Sequence, residues 1–249
     1  MKTPVVEFKN VSKKFTYIQN RPESIKELAI SLLKGQYFKL PRENKVVLDN
    51  VSFSINPGEI VAIMGRNGTG KSTLLRILSG IYEPDQGDVI VRERVAPMVA
   101  LGAGFHHELS GYENIFLNGS IMGIPRNELK ALINDIVKFS ELGSHINYPI
   151  KNYSTGMILR LGFSVAAFVD APILVLDEIL SVGDAGFQRK CLRKIDELFR
   201  SGRTIILVTH DPNVARQFCH RCMVLDRGKL IFDGSVQTGG QIYQDMFPV

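Results

Sequence analysis

The chain has 249 residues, 45% of them hydrophobic and 22% charged, with 22 glycines and 11 prolines. That mix suits a globular protein of one large domain or two small ones, and excludes collagen, coiled coil and bulk disorder. A net charge of +5 at pH 7 is compatible with an anionic partner or an acidic membrane surface and does not choose between them.

In chain order, Met1 to Asn10 carries Lys2, Glu7 and Lys9 and no apolar core, so it does not read as a secretory signal. Val11–Phe15 and Val46–Ile55 flank an insertion, about residues 16–45, rich in Lys, Arg and Pro. Within it Ser24 and Glu27 form a capping-box pattern, Ile25, Leu28 and Leu32 recur at helical spacing with Ala29 and Leu33, and Gly35 can close the helix. Two readings stay open for this helix: packing on its own domain, or docking against a membrane partner or the lipid surface. Strand candidates follow at Ile60–Met64, Val89–Val91, Val95–Val99, Ile173–Leu176, Thr204–Thr209 and Met223–Leu225. Several are unbroken apolar runs, as expected of strands covered on both faces in a parallel sheet. Residues 107–170 carry a helical period instead, as in Asn127–Leu142, which predicts a helical subdomain inserted in an α/β core. No apolar run reaches the roughly 18 residues of a membrane span; the longest, Leu161–Leu176, is broken by Ser164, Asp170 and Pro172. Three cysteines point to a reducing compartment.

Gly65-Arg66-Asn67-Gly68-Thr69-Gly70-Lys71-Ser72 fits G-x-x-x-x-G-K-[ST], preceded by a strand and followed by a helix with Leu74, Leu75 and Leu78. Glycines let successive backbone N–H groups turn toward phosphate oxygens, and the helix start adds partial positive charge. Lys71 is expected on the β- and γ-phosphates and the Ser72 hydroxyl on Mg²⁺. Gly65, Asn67, Gly68, Thr69, Gly70, Lys71, Ser72 and Thr73 are thus the candidate nucleotide contacts. Ile173-Leu174-Val175-Leu176-Asp177-Glu178 ends an apolar strand in two acids, where ligands bind in open α/β sheets. Asp177 suits Mg²⁺ coordination, and Glu178 suits positioning or activating the attacking water. A GTPase would need N-K-x-D, but Asn44-Lys45 continues as Val46-Val47.

Asn152-Tyr153-Ser154-Thr155-Gly156-Met157, about twenty residues before the acidic strand, resembles the signature segment of ATP-binding-cassette (ABC) ATPases. Ser154 and Gly156 match the usual L-S-G-G-Q; Thr155 and Met157 depart. The resemblance implies that these two grip the γ-phosphate bound to a second subunit; without it, Ser154 is a good helix N-cap. It also implies a D-loop at Ser181-Val182-Gly183-Asp184 and a switch histidine at His210. Phe15 or Tyr17 is expected to stack on adenine, Phe15 at the better spacing, with a core aromatic as the alternative. The stretches Val95 to His106 and Glu108 to Gly119 extend the likeness to the ATPase subunits of bacterial polysaccharide exporters, which handle lipid-linked O-antigen, teichoic acid or capsule. At the lid position His106, or His107, stands where most cassettes have glutamine. The chain, ending at Val249, leaves no room for the carbohydrate-binding β-domain of some O-antigen exporter ATPases. The expectation is therefore that substrate is not selected that way or that the sequence is shortened. Cys219-His220-Arg221-Cys222 lacks a second ligand pair and reads as reduced thiols at a helix-to-strand junction.

Together these readings predict an α/β P-loop ATPase over residues 1–249, with an N-terminal antiparallel β portion. Glu178, His210 and Lys71 are its expected catalytic residues and ATP and Mg²⁺ its ligands. Two copies are expected to form an ATP-sandwich homodimer on two copies of a membrane permease at the cytoplasmic face of the bacterial inner membrane. The expected cargo is lipid-linked polysaccharide, not nucleic acid. The alternatives are a soluble cassette protein acting on nucleic acid or ribosomes, and a nucleotide-gated module without turnover.

Overall fold

In the computed structural model, residues 3–18, 42–98, 104–177 and 184–247 are described. The predicted helix at Ser24 to Gly35 lies outside them, as do Glu178 and Ser181-Val182-Gly183. Strand β1 (Val6–Ile18) pairs antiparallel with β2 (Arg42–Ile55) and with β4 (Gln86–Val91). The hairpin runs further than the sequence suggests. Thr16 to Ile18 and Arg42 to Lys45, assigned above to the insertion, stay in register from Thr16↔Asn44 to Ile18↔Arg42. A hydrogen bond from Thr16 Oγ1 to Asn44 Oδ1 (2.8 Å) ties this end, a cross-strand contact of two polar side chains that carries no hydrophobic signal.

The second sheet has the order β5-β6-β7-β3-β8-β9. Strands β5 (Val95–Met98), β6 (Ile173–Asp177), β7 (Thr204–Thr209), β3 (Ile60–Met64) and β8 (Arg221–Asp226) run parallel, and β9 (Lys229–Ser235) turns back antiparallel. The β8–β9 turn places Arg227 and Gly228 at φ 44° and 80°, the backbone of a two-residue hairpin with positive φ at both central positions.

The unbroken apolar runs have a direct cause. In β3, Val61 and Ile63 enter a core shared with Phe8, Leu48, Ile55, Leu74 and Leu75, while Ala62 and Met64 enter another with Phe163, Leu176 and Phe187. Ile206 and Val208 of β7 split from Ile205 and Leu207 in the same way. Both faces of the sheet are therefore covered, so no polar alternation survives.

Helix α1 (Lys71–Leu78) follows β3. Between β5 and β6 the described residues form α2 (Gly111–Ile121), α3 (Arg126–Ser140), two short 3₁₀ turns and α4 (Thr155–Ala167). These pack on a third core of Ile115, Ile133, Ile136, Ile146, Ile150 and Leu161. Helix α3 ends earlier than the expected Leu142 because Glu141 takes the left-handed conformation (φ 56°). Helices α5 (Ala185–Phe199), α6 (Pro212–Phe218) and α7 (Val236–Met246) complete the order. Among the described residues no helix is long and apolar enough to cross a membrane.

Candidate nucleotide site

The loop from Gly65 to Gly70 is forced on the chain by its neighbours. A Cβ on Gly65 would lie 2.5 Å from the Leu225 carbonyl oxygen and 2.7 Å from Thr69 Oγ1. One on Gly70, whose φ is 108°, would lie 2.7 Å from the Val47 carbonyl oxygen. The turn is tied from outside as well: Gly228 N–H donates to the Thr69 carbonyl (3.1 Å) and Asp49 N–H to the Gly228 carbonyl (2.8 Å).

Helix α1 starts at this loop with Gly70 as its N-cap, no side-chain cap and no acid in its first turn. Helices α2, α4, α5, α6 and α7 are capped instead by Ser110, Ser154, Asp184, Asp211 and Ser235. No side chain of its own caps the N-terminus of α1, and the helix dipole favours an anion there. The Lys71 ammonium donates to the Gly65 and Arg66 carbonyls at 2.5 and 2.9 Å, placing its charge over the loop.

A cleft of about 490 Å³ brings together Phe15, Asn67, Gly68, Gly70, Lys71, Ser72 and Thr73. Phe15 is half-buried and faces the cleft rather than the core. Of Tyr17, only the backbone in β1 is described. Four further residues line the cleft: Lys45, directly across the hairpin from Phe15, together with Val47, Arg76 and Tyr82. Sequence reasoning missed them. Lys45 belongs to no motif, and Tyr82 follows the end of α1 where nothing marks it. The one available signal was the pairing of an aromatic with an opposed cation across the hairpin.

A second cleft of about 690 Å³ lies on the other side of the loop, lined by Arg66, Asn67, Gly68, Thr69 and His210 with Asp226, Arg227, Tyr243, Met246 and Phe247. Strand register explains why His210 arrives there. Met64 pairs with Thr209 and Asp177 with Val208, so Gly65, His210 and Asp177 all leave the carboxyl ends of parallel strands. Ser72 is exposed on the first cleft. Its hydroxyl is a hard oxygen donor of the kind Mg²⁺ takes beside phosphate and water, while of Asp177 only the backbone at the end of β6 is described. No group of three His, Cys, Asp or Glu able to hold a metal occurs among the described residues.

Ser154, Gly156, His106 and Asp184 line neither cleft. Ser154 is exposed and caps α4, its Oγ accepting from Met157 N–H (3.3 Å). A Cβ on Gly156 would meet only Ser154 Oγ, at 3.9 Å. Asp184 caps α5 by accepting from Gly186 and Phe187 N–H (2.9 and 3.0 Å) and pairs with Arg160 of α4. The Phe187 amide foremost, with Gly186 and Arg160, holds its carboxyl below the usual aspartate range. The exposed His106 donates its backbone N–H to Oδ1 of the buried Asn114 (2.7 Å), and Asn114 Nδ2 returns bonds to the His106, Leu109 and Ser110 carbonyls. The loop after His106 is also laced to the segment before Ser154 by Ile150 N–H to Leu109, Lys151 N–H to His107, and a 2.6 Å Lys151–Glu108 ion pair. Cys191, Cys219 and Cys222 are free and buried; burial pushes the first two thiols up to about 12 and the third to about 11.

Fold and cleft together define a P-loop α/β nucleotide-binding protein. A sequence profile described as "ABC transporter" matches residues 48–181. The chain is 39% identical to the O-antigen export system ATP-binding protein RfbB of Klebsiella pneumoniae over 97% of its own length and 98% of that protein's. It is 37% identical to the teichoic acids export ATP-binding protein TagH of Bacillus cereus (strain ZK / E33L), over 93% of this chain and 41% of that one. Its fold matches the ATP-binding cassette MJ0796, in a dimeric post-hydrolysis state bound to ADP and Pi, at a TM-score of 0.68 and 24% identity, covering 93% and 98% of the two chains. The chain belongs to the ABC transporter family.

Proposed function

We propose that this chain is the ATP-hydrolysing subunit of a transporter that exports lipid-linked polysaccharide, of the O-antigen, teichoic acid or capsule kind, across the cytoplasmic membrane. The observation that carries this reading is the end-to-end likeness to an O-antigen export ATP-binding protein, joined to an uncapped helix behind a glycine loop. The relatives named above are export subunits, and nothing favours the reading on nucleic acid or ribosomes.

In this reading residues 1–249 form one ATPase domain with a helical subdomain at about 107–170 and an insertion at about 16–45. The amides from Gly68 to Thr73 and the Lys71 ammonium bind the triphosphate, and Phe15 takes the base. Ser72 and Asp177 hold Mg²⁺, which offsets phosphate charge. Glu178 orients the attacking water and His210 contacts the γ-phosphate from the β7 end. Ser154 and Gly156 of one copy close the site of another, and Asp184 and His106 sit at the rims of that contact. The exposed Ser154, outside both clefts of its own chain, supports this assignment. The homodimer stands on the cytoplasmic face of the inner membrane, attached through two copies of an integral permease.

Phosphate release from purified protein tests the enzymatic part. Glu178→Gln is expected to lose roughly 10²-fold or more in turnover while still retaining nucleotide. Co-purification with a multi-span membrane protein is the expected result for the transport part; ATPase activity stimulated by RNA in its absence would contradict it.

A further inference from the structure

We infer that Tyr82, braced by Arg76, is a positioning residue that fixes the Phe15 ring relative to the phosphate loop and so sets how tightly the base of the nucleotide is held. The inference rests on the 490 Å³ cleft being the nucleotide site. The two ends of a nucleotide in that cleft are met by different layers of the fold. Phosphate is met by the loop and α1, which follow the central parallel sheet, whereas Phe15 stands on β1 of the outer antiparallel sheet. The χ2 torsion of an aromatic ring is broad, so the tilt of the ring is set by what packs on it.

Tyr82 supplies that contact. Its ring meets Phe15 edge to face, with centroids 5.5 Å apart and planes at 64°. Tyr82 is in turn tied to the last turn of α1. Its N–H donates to the Arg76 carbonyl (3.2 Å), its hydroxyl accepts from Arg76 Nη1 (3.3 Å), and the Arg76 guanidinium lies 5.6 Å from its ring centroid. Arg76 lies five residues beyond Lys71, about 7.5 Å along the helix axis. Helix α1 therefore carries the phosphate loop at one end and the Arg76–Tyr82 brace at the other, and spaces the aromatic corner from the phosphates. Lys13, 5.7 Å from the Phe15 centroid, and Lys45, across the hairpin, complete the surroundings of the ring. An edge-to-face pair cannot sandwich a flat base between its members, so Tyr82 acts through Phe15 and not as a second stacking surface.

Calorimetric binding of ATP and of inorganic tripolyphosphate to the whole chain tests this, using Phe15→Ala, Tyr82→Ala, Tyr82→Phe and the double variant Phe15→Ala/Tyr82→Ala. Tyr82→Ala is expected to weaken ATP about three- to tenfold, the usual range for an aromatic pair, and to leave tripolyphosphate unchanged. Tyr82→Phe, which keeps the ring, should restore most of the loss. In the double variant ATP should bind no more weakly than in Phe15→Ala alone, the coupling expected of residues acting as a unit. Unchanged ATP affinity in Tyr82→Ala beside a clear loss in Phe15→Ala would overturn the inference. So would a parallel loss of tripolyphosphate, or additive losses in the double variant. If Phe15→Ala itself leaves ATP affinity intact, the assignment of the base end of the cleft fails, and the inference with it.

Discussion

At Gly65 and Gly70 an added methyl group would meet backbone oxygens of the same chain at 2.5 and 2.7 Å, whereas at Gly156 it would meet nothing nearer than 3.9 Å among the described residues. Gly65 and Gly70 are glycines because the fold leaves no room for a side chain at either, with Val47, Thr69 and Leu225 closing around them. Among the described residues nothing forces a glycine at the head of α4. The N-cap beside it, Ser154, is exposed, although all the loop residues expected on phosphate except Gly65 line a cleft. In the proposed reading, that open space is where a second copy's nucleotide approaches the N-terminus of α4.

Three substitutions sharpen this contrast, beginning with the one of largest expected effect. Gly156→Asp should leave folding and single-copy nucleotide affinity close to wild type, yet reduce turnover roughly 10²-fold or more by setting a carboxylate against the phosphate of the facing copy. Phosphate release beside ATP binding by calorimetry separates the two effects; parallel losses in both would erase the contrast. Gly70→Ala should act the opposite way. Left-handed backbone strain of about 1–2 kcal/mol and a main-chain overlap of about 1–3 kcal/mol should appear as lower stability in urea melts, with nucleotide binding lost alongside it. The smallest effect is expected at Asp184, which joins α5 to α4 through Arg160. Its carboxyl is held below the usual aspartate range, so it contributes stability above about pH 4, the ordinary aspartate value, and loses that contribution as pH falls through its lowered folded-state pKa. The stability gap between wild type and Asp184→Asn in urea titrations should therefore be present at pH 6 and close in strong acid. A gap that widens on acidification would contradict the assignment.

Much of this was legible in the sequence. The β3 and β7 strands at Ile60–Met64 and Thr204–Thr209 fall where their apolar runs predict, because a sheet covered on both faces leaves an unbroken hydrophobic signal. The phosphate loop was legible because its geometry admits only glycine at two fixed positions. The long hairpin was not, since its outer register at Thr16↔Asn44 is held by polar side chains. Nor were Lys45, Arg76 and Tyr82, which reach the cleft from β2, from α1 and from the loop after it and belong to no motif. Asn114, buried at the centre of the hydrogen bonds of the His106–Ser110 loop, reads in sequence as one more polar residue of a helix.

The most direct measurement is the mass of the Glu178→Gln variant in solution, by light scattering during size-exclusion chromatography with and without magnesium-ATP. The account predicts a monomer that becomes a dimer when ATP is added, and stays a monomer with ATP once Gly156→Asp is combined with it. A monomer at saturating ATP, or a dimer indifferent both to nucleotide and to Gly156→Asp, would contradict the claim that a second copy completes the site.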